Sequence, residues 1–104
     1  MTNLWVFDID GTLANIDHRM HFWDGDQKDR NAFFGHQHLD IPYEPVVEVY
    51  HSLVDAGYKC IIITGRDEIH RAVTFDWIQK HCDHYFNDED LFMRERVTVE
   101  MIIS

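Results

Sequence analysis

The sequence contains no run of lysine or arginine, and basic residues are scarce throughout, 9 against 19 acidic ones, for a formal charge of −10. A protein that grips a nucleic-acid backbone non-specifically needs a basic footprint, and an anionic membrane surface selects for one as well. The acidic balance does not exclude a phosphorylated substrate, because a bound divalent cation reverses the local sign. Cysteine is nearly missing: Cys60 and Cys82 form no CxxC pair and match no metal-ligand spacing. Cys60 lies in an apolar run and is expected to be a small buried hydrophobe. The first residues, Met1-Thr2-Asn3-Leu4, carry no basic region, and no apolar stretch is long enough for a signal sequence or a membrane span. The expectation is a soluble chain in a reducing, cytoplasmic setting with no membrane partner. Repeats and low-complexity segments are also lacking.

What the sequence does have suits a small folded unit. At 104 residues, with 45% hydrophobic and 13% aromatic residues, one domain over 1–104 with a single core is expected, and intrinsic disorder is not. Leu4-Trp5-Val6-Phe7 reads as a buried strand stopped by Asp8-Ile9-Asp10-Gly11. From Glu44 to Ala56, Val46, Val47, Val49, Tyr50, Leu53 and Val54 recur at helical spacing, with Pro45 in the first turn and Gly57 at the stop. Lys59-Cys60-Ile61-Ile62-Ile63 predicts a second buried strand, ended by Thr64-Gly65-Arg66. A second helix follows from about Asp67, its N-cap, to about His81, with Ile69, Ala72, Val73, Trp77 and Ile78 on one face. A third strand is expected at Leu91-Phe92-Met93. This alternation predicts an α/β fold with a parallel sheet.

Residues 15–43 interrupt the alternation. They are rich in His and aromatic residues: His18, His21, Phe22, Trp23, Phe33, Phe34, His36 and His38. An insertion after the first strand of a parallel sheet lies over the strand ends, where the ligand crevice is, so a cap is the natural reading. The four histidines fit no zinc signature and read as cap surface near substrate. The aromatic set suits either the stacking of a base or a small core within the cap.

The chemistry concentrates at two strand ends. Asp8 and Asp10 place two carboxylates two residues apart just after a buried strand, which is costly unless something pairs with them. A metal ion meets that need, and hard oxygen ligands favour Mg²⁺. Gly11 permits a sharp turn and Thr12 adds a hydroxyl. Asp, Gly and Thr are also common in ordinary turns, so the second cluster carries weight. Thr64-Gly65-Arg66 offers a hydroxyl, an approachable amide and a guanidinium able to bind phosphate bidentately, ahead of a helix N-terminus. In a parallel sheet the two strand ends are neighbours.

Phe7-Asp8-Ile9-Asp10-Gly11-Thr12-Leu13-Ala14 resembles the first motif of the haloacid dehalogenase (HAD) superfamily of phosphatases, and Ile63-Thr64-Gly65-Arg66 resembles the second. His18-Arg19-Met20-His21, Asn31-Ala32-Phe33-Phe34, Glu44-Pro45-Val46-Val47, Gly57-Tyr58, Arg71, Trp77, His81 and Leu91-Phe92-Met93-Arg94 are similar to the phosphatase domain of polynucleotide kinase/3′-phosphatases and related phage and bacterial proteins. The resemblance covers roughly residues 4–94. It implies a Rossmann-like core with a small cap after the first strand. It also implies a Mg²⁺-dependent phosphomonoesterase acting on a nucleotide or a nucleic-acid 3′ end. In that scheme Asp8 is the nucleophile, and Asp10 protonates the leaving oxygen and then activates water. Mg²⁺ sits on Asp8 and the Asp10 carbonyl. Thr12, Thr64, Gly65, Arg66 and Arg19 contact the substrate or its phosphate.

The sequence departs from the family pattern at its end. After Arg94 the Gly-Asp-x-Arg segment, the helix with its lysine and the final acidic motif are missing. Val99 falls near the lysine position, and Arg94 or Arg96 is the nearest charge to replace it, imperfectly. Asp88-Glu89-Asp90 precedes the third strand and reads as a solvated loop. A sheet truncated in this way leaves Leu4–Phe7 at an open edge, which predicts a second copy, the 97–103 segment or a partner protein to cover it. The competing functional readings are a catalytically weakened remnant that binds a ligand or protein, and a half-site completed by another chain.

Overall fold

The computed structural model describes residues 4–24 and 29–95. The chain runs β1 (Leu4–Phe7), β2 (Ala14–Asn15), α1 (Asp17–Met20), α2 (Arg30–Gly35), β3 (Ile41–Pro42), α3 (Glu44–Asp55), β4 (Lys59–Asp67), α4 (Arg71–His81) and β5 (Leu91–Arg94). Short 3-10 turns occupy Gln37–Leu39, Glu68–His70 and Asp88–Asp90. The main sheet is parallel, in the order β1-β4-β5, with Phe7 beside Ile62 and Ile62 beside Leu91. The fold is thus α/β, with the parallel sheet expected of a Rossmann-like core. A small antiparallel pair, β2 with β3, ties the two ends of the intervening segment together.

One face of the sheet carries the core. Phe7, Cys60, Ile62 and Leu91 pack with Val47 and Tyr50 of α3 and with Trp77 and Ile78 of α4. Ile9 and Leu13, in the turn after β1, are fully buried in the same cluster. Gly57 ends α3 with φ +90°, a left-handed conformation that glycine adopts without a side-chain clash. Cys60 and Cys82 are both buried, and burial pushes both thiols up, Cys82 to about 12. A thiol that resists ionisation is chemically inert, so both cysteines serve as core residues.

Three sequence expectations change. Leu4–Phe7 is not a buried strand: only Phe7 is buried, and Leu4 and Val6 are more than half exposed (56% and 54%). Among the described residues nothing pairs with the outer edge of β1, in keeping with the open edge expected there. Strand β4 does not end at Thr64 but continues through Gly65 and Arg66 to Asp67, with an irregularity in its pairing to β5 after Ile63. Finally, the buried face of α4 is Thr74, Trp77 and Ile78, while Ile69 and Ala72 are exposed. Asp67 does cap, accepting a hydrogen bond from the Ile69 amide, but it caps a 3-10 turn. That turn has three residues per revolution, so it shifts the phase of everything counted from Asp67.

Candidate active site

The turn after β1 displays its two carboxylates by burying what lies between them. Ile9 is fully buried, and the Gly11 amide donates to the Ala14 carbonyl with Gly11 at φ +79°. Asp8 is left exposed, its Oδ1 accepting a hydrogen bond from the Ile9 amide at 2.8 Å. Asp10 is half-buried and faces two guanidiniums. Arg66 donates from Nη2 to Asp10 Oδ1 at 2.6 Å and from Nε to both carboxylate oxygens, at 3.2 and 3.3 Å. Arg19 Nη2 donates to Asp10 Oδ1 at 3.2 Å.

Both arginines are buried, Arg19 at 2% and Arg66 at 6% exposure. Burying a guanidinium is expensive unless it is paired and hydrogen-bonded. The pairing group is Asp40, which sequence reasoning missed. Its carboxylate is inaccessible to solvent and accepts a two-pronged bond from Arg19, Nε to Oδ1 at 2.7 Å and Nη2 to Oδ2 at 2.9 Å. Arg66 Nη2 also donates to Oδ2, at 3.1 Å, and His18 Nε2 lies 2.7 Å from Oδ1. The Asp40 backbone is itself held: its carbonyl accepts from Trp77 Nε1 at 2.9 Å, and its amide donates to the Gln37 carbonyl at 3.2 Å. Asp40 therefore joins α1, β4 and α4 at one point. No periodicity marks such a residue; the only cue is a lone acid before Ile41-Pro42.

The remaining Arg66 donor, Nη1, is shared by Gln37 Oε1 and Thr74 Oγ1, each at 3.2 Å. Gln37 and Thr74 were also invisible to sequence reasoning. Strand alternation puts Ile62, Thr64 and Arg66 on the same, buried side of β4. The Thr64 hydroxyl accepts from the Arg66 amide at 3.2 Å. Gly65 lies on the opposite, exposed side, and a methyl group there would meet nothing within 4 Å. Thr12 is half-buried, and its amide donates to the Ile9 carbonyl at 3.0 Å. Among the predicted site residues the structure thus draws Asp10, Arg19 and Arg66 into direct contact. Asp8 and Thr12 share the turn with Asp10, and Thr64 is bonded to Arg66.

Other groups lie apart. Asp88 pairs with Arg71, and Asp90 with Lys59 at the starting end of β4, away from the strand ends that carry the site. Arg94 is largely exposed, its Nη2 3.9 Å from Asp67 Oδ2. Arg96, Val99 and the 97–103 segment lie outside the described residues. The histidines do not form a metal cluster among the described residues. His36 stacks on Phe22 at 5.0 Å, His18 is bonded to Asp40, and His38 is exposed. Trp23 and Phe33 pack at a tilt at 5.0 Å, Phe34 meets both edge to face at 5.2 and 6.3 Å, and the Arg19 guanidinium sits 4.4 Å from the Phe33 ring centre.

At this end of the sheet the exposed Asp8 carboxylate and half-buried Asp10 stand in front of two buried guanidiniums whose nitrogens are all hydrogen-bonded within the protein. The family model of the polynucleotide kinase (PNKP) phosphatase domain matches residues 2–99. The chain belongs to this family of HAD phosphatases. A solved structure, "Structure of Pnkp1/Rnl/Hen1 complex", is similar at 28% identity and a TM-score of 0.65. The match covers 94% of this chain but 30% of that one, so the chain spans less than a third of the relative's length. No curated protein matches. HAD phosphatases generally use Mg²⁺. The donors here fit such an ion: Asp8 offers an exposed carboxylate, whereas the Asp10 carboxylate is committed to Arg19 and Arg66, leaving its carbonyl as the donor the family pattern requires. Among the described residues no third carboxylate, His or Cys side chain joins them in a metal-holding group.

Proposed function

We propose that this chain is a Mg²⁺-dependent phosphomonoesterase acting on a nucleotide or a nucleic-acid 3′-phosphate through an aspartyl-phosphate intermediate on Asp8. The observation that carries the reading is the pair of buried guanidiniums, Arg19 and Arg66, converging on Asp10 beside the exposed carboxylate of Asp8. Their N–H groups would donate to phosphoryl oxygens in exchange for Asp10. A carboxylate oxygen of Asp8 attacks phosphorus, and the bond from phosphorus to the ester oxygen breaks. Asp10, released from the guanidiniums by the phosphoryl oxygens and protonated from solvent, gives that proton to the leaving oxygen. Water then attacks the same phosphorus and loses a proton to Asp10, and the bond to Asp8 breaks to release inorganic phosphate. Mg²⁺ on Asp8 and the Asp10 carbonyl would screen the negative charge that otherwise repels the nucleophile. Thr12, Thr64 and the Gly65 amide complete the cradle for the phosphoryl oxygens. The family's polynucleotide kinase context supports a nucleotide or nucleic-acid end as the substrate.

In this reading residues 1–104 form one HAD-like unit with 15–43 as its cap, working in the cytoplasm. No helix among the described residues is long and apolar enough to cross a membrane. Further protein covers the β1 edge, as a second copy of the chain or as a partner. The exposed Leu4 and Val6, with half-exposed Ile63 and Phe92 on the same face of the sheet, support this, because parallel sheets are normally buried on both faces. The solved relative was itself determined in a complex. A monodisperse monomer whose Leu4–Phe7 amides are slow to exchange would remove this part of the proposal.

The decisive assay is phosphate release, with and without Mg²⁺, from a generic phosphomonoester, from nucleotides and from a 3′-phosphorylated oligonucleotide. Mg²⁺-dependent release, highest on the last two, is expected. Folded protein that releases none would point instead to a binding remnant or to a half-site awaiting another chain.

A further inference from the structure

A cavity of about 730 Å³ opens on the other side of Gln37 from the arginine cluster. Gln37 is a nearly buried partition: Oε1 accepts from Arg66, while Nε2 donates to the Phe34 carbonyl at 2.8 Å and lies 3.2 Å from His70 Nδ1. The walls beyond it are flat and aromatic. Phe34 stacks on His70 at 4.7 Å with 19° between the rings, and Trp23 meets Phe34 edge-on at 6.3 Å. Arg30 lies 5.5 Å from the Trp23 ring centre, and Arg94 brings a second, largely exposed guanidinium to the rim. Aromatic faces next to guanidiniums form a surface for a planar heteroaromatic group linked to an anionic backbone. The Arg66 guanidinium lies one side chain away, across Gln37.

We infer that this cavity is a nucleobase subsite, formed by Trp23, Phe34 and His70 with Arg30 and Arg94 at its mouth, which takes the terminal base of the substrate while Arg19 and Arg66 face its phosphate. The inference rests on the phosphatase reading and sharpens it: the preferred substrate is a base-bearing end, not a bare sugar phosphate. The acidic surface and the small number of rim arginines suit a short single-stranded end, because only one or two backbone charges can be met.

Two measurements test it. The first compares kcat/KM on a 3′-phosphorylated oligonucleotide with that on the same oligonucleotide carrying an abasic 3′-terminal sugar. The wild type should prefer the base-bearing end, and Trp23→Ala should cut that preference about tenfold, the scale of one lost base–aromatic contact. Ile69, 59% exposed on the cavity wall, supplies a variant that does not disturb the core: Ile69→Glu should cut the preference in the same direction by placing a negative charge at the mouth. The second follows the indole N–H resonances during titration with an unphosphorylated dinucleotide. The Trp23 signal should move and the buried Trp77 signal should not. Equal use of abasic and base-bearing ends by the wild type, with no shift at Trp23, overturns the subsite. A Trp23 shift in a protein that hydrolyses nothing would uphold the subsite while overturning the phosphatase reading.

Discussion

Asp8→Asn should reduce phosphate release by about a thousandfold or more, because an amide oxygen cannot form the phosphoryl ester that a carboxylate can. The substitution is well placed to separate chemistry from folding. Asp8 is exposed, and its one structural bond accepts the Ile9 amide at 2.8 Å, a role the asparagine Oδ1 can fill unchanged. Removing the negative charge also takes away half of the protein's share of the Mg²⁺ site, so metal dependence should disappear with the activity. Thermal unfolding should stay close to that of the parent protein. Normal turnover by this variant would remove Asp8 as the nucleophile, whatever the remaining activity required.

The largest effect on stability should come from Asp40, a residue not expected to touch substrate. Asp40→Ala strands two buried guanidiniums and His18 at once. Breaking a buried ion pair by deleting one partner typically costs about 3–5 kcal/mol. In a domain of this size each kcal/mol shifts Tm by about 4–8 °C, so a fall on the order of 15 °C or more is expected by calorimetry. Asp40→Asn keeps the shape and one acceptor, and should lose less stability. Its more telling readout is kinetic: with Arg19 and Arg66 no longer clamped, KM should rise more than kcat falls, for an overall loss of about a hundredfold. A Tm within a few degrees of the parent for the alanine variant would mean that Asp40 does not hold the two arginines as the geometry requires.

The position of Asp40 shows where the sequence stopped being readable. Strand β1, α3, the first part of β4 and β5 were legible because each has a local signature: an apolar run, a helical period, a proline in the first turn, a glycine at the stop. The DxDG turn was legible for a similar reason, since paired carboxylates beside a buried strand demand an explanation within a few residues. The helix after Asp67 was only half legible. Asp67 does act as a cap, but of a 3-10 turn and not of the helix, and that turn displaces the helical phase, so Thr74 is buried where Ile69 and Ala72 are expected. The extension of β4 through Gly65 and Arg66 was hidden because the same residues read equally well as a turn.

By itself, the sequence determined the α/β class, the order of the principal elements, the two segments that hold the candidate site, and Asp8, Asp10, Arg19 and Arg66 as candidate site residues. These depend on short-range patterns, namely period, caps and motif spacing, which a linear chain displays directly. The tertiary structure decided which charge neutralises which. Arg66 lies 56 residues from Asp10 and 26 from Asp40, and only when β1 and β4 lie side by side do those groups meet. It also decided that β1 stands at the edge of the sheet among the described residues, that Gln37 lies between Arg66 and an aromatic cavity, and that Trp23 and Phe34 line that cavity as well as pack on one another. Burial makes these distant pairings obligatory, because an ionised group out of water must find an opposite charge. Which charge it finds depends on chain topology.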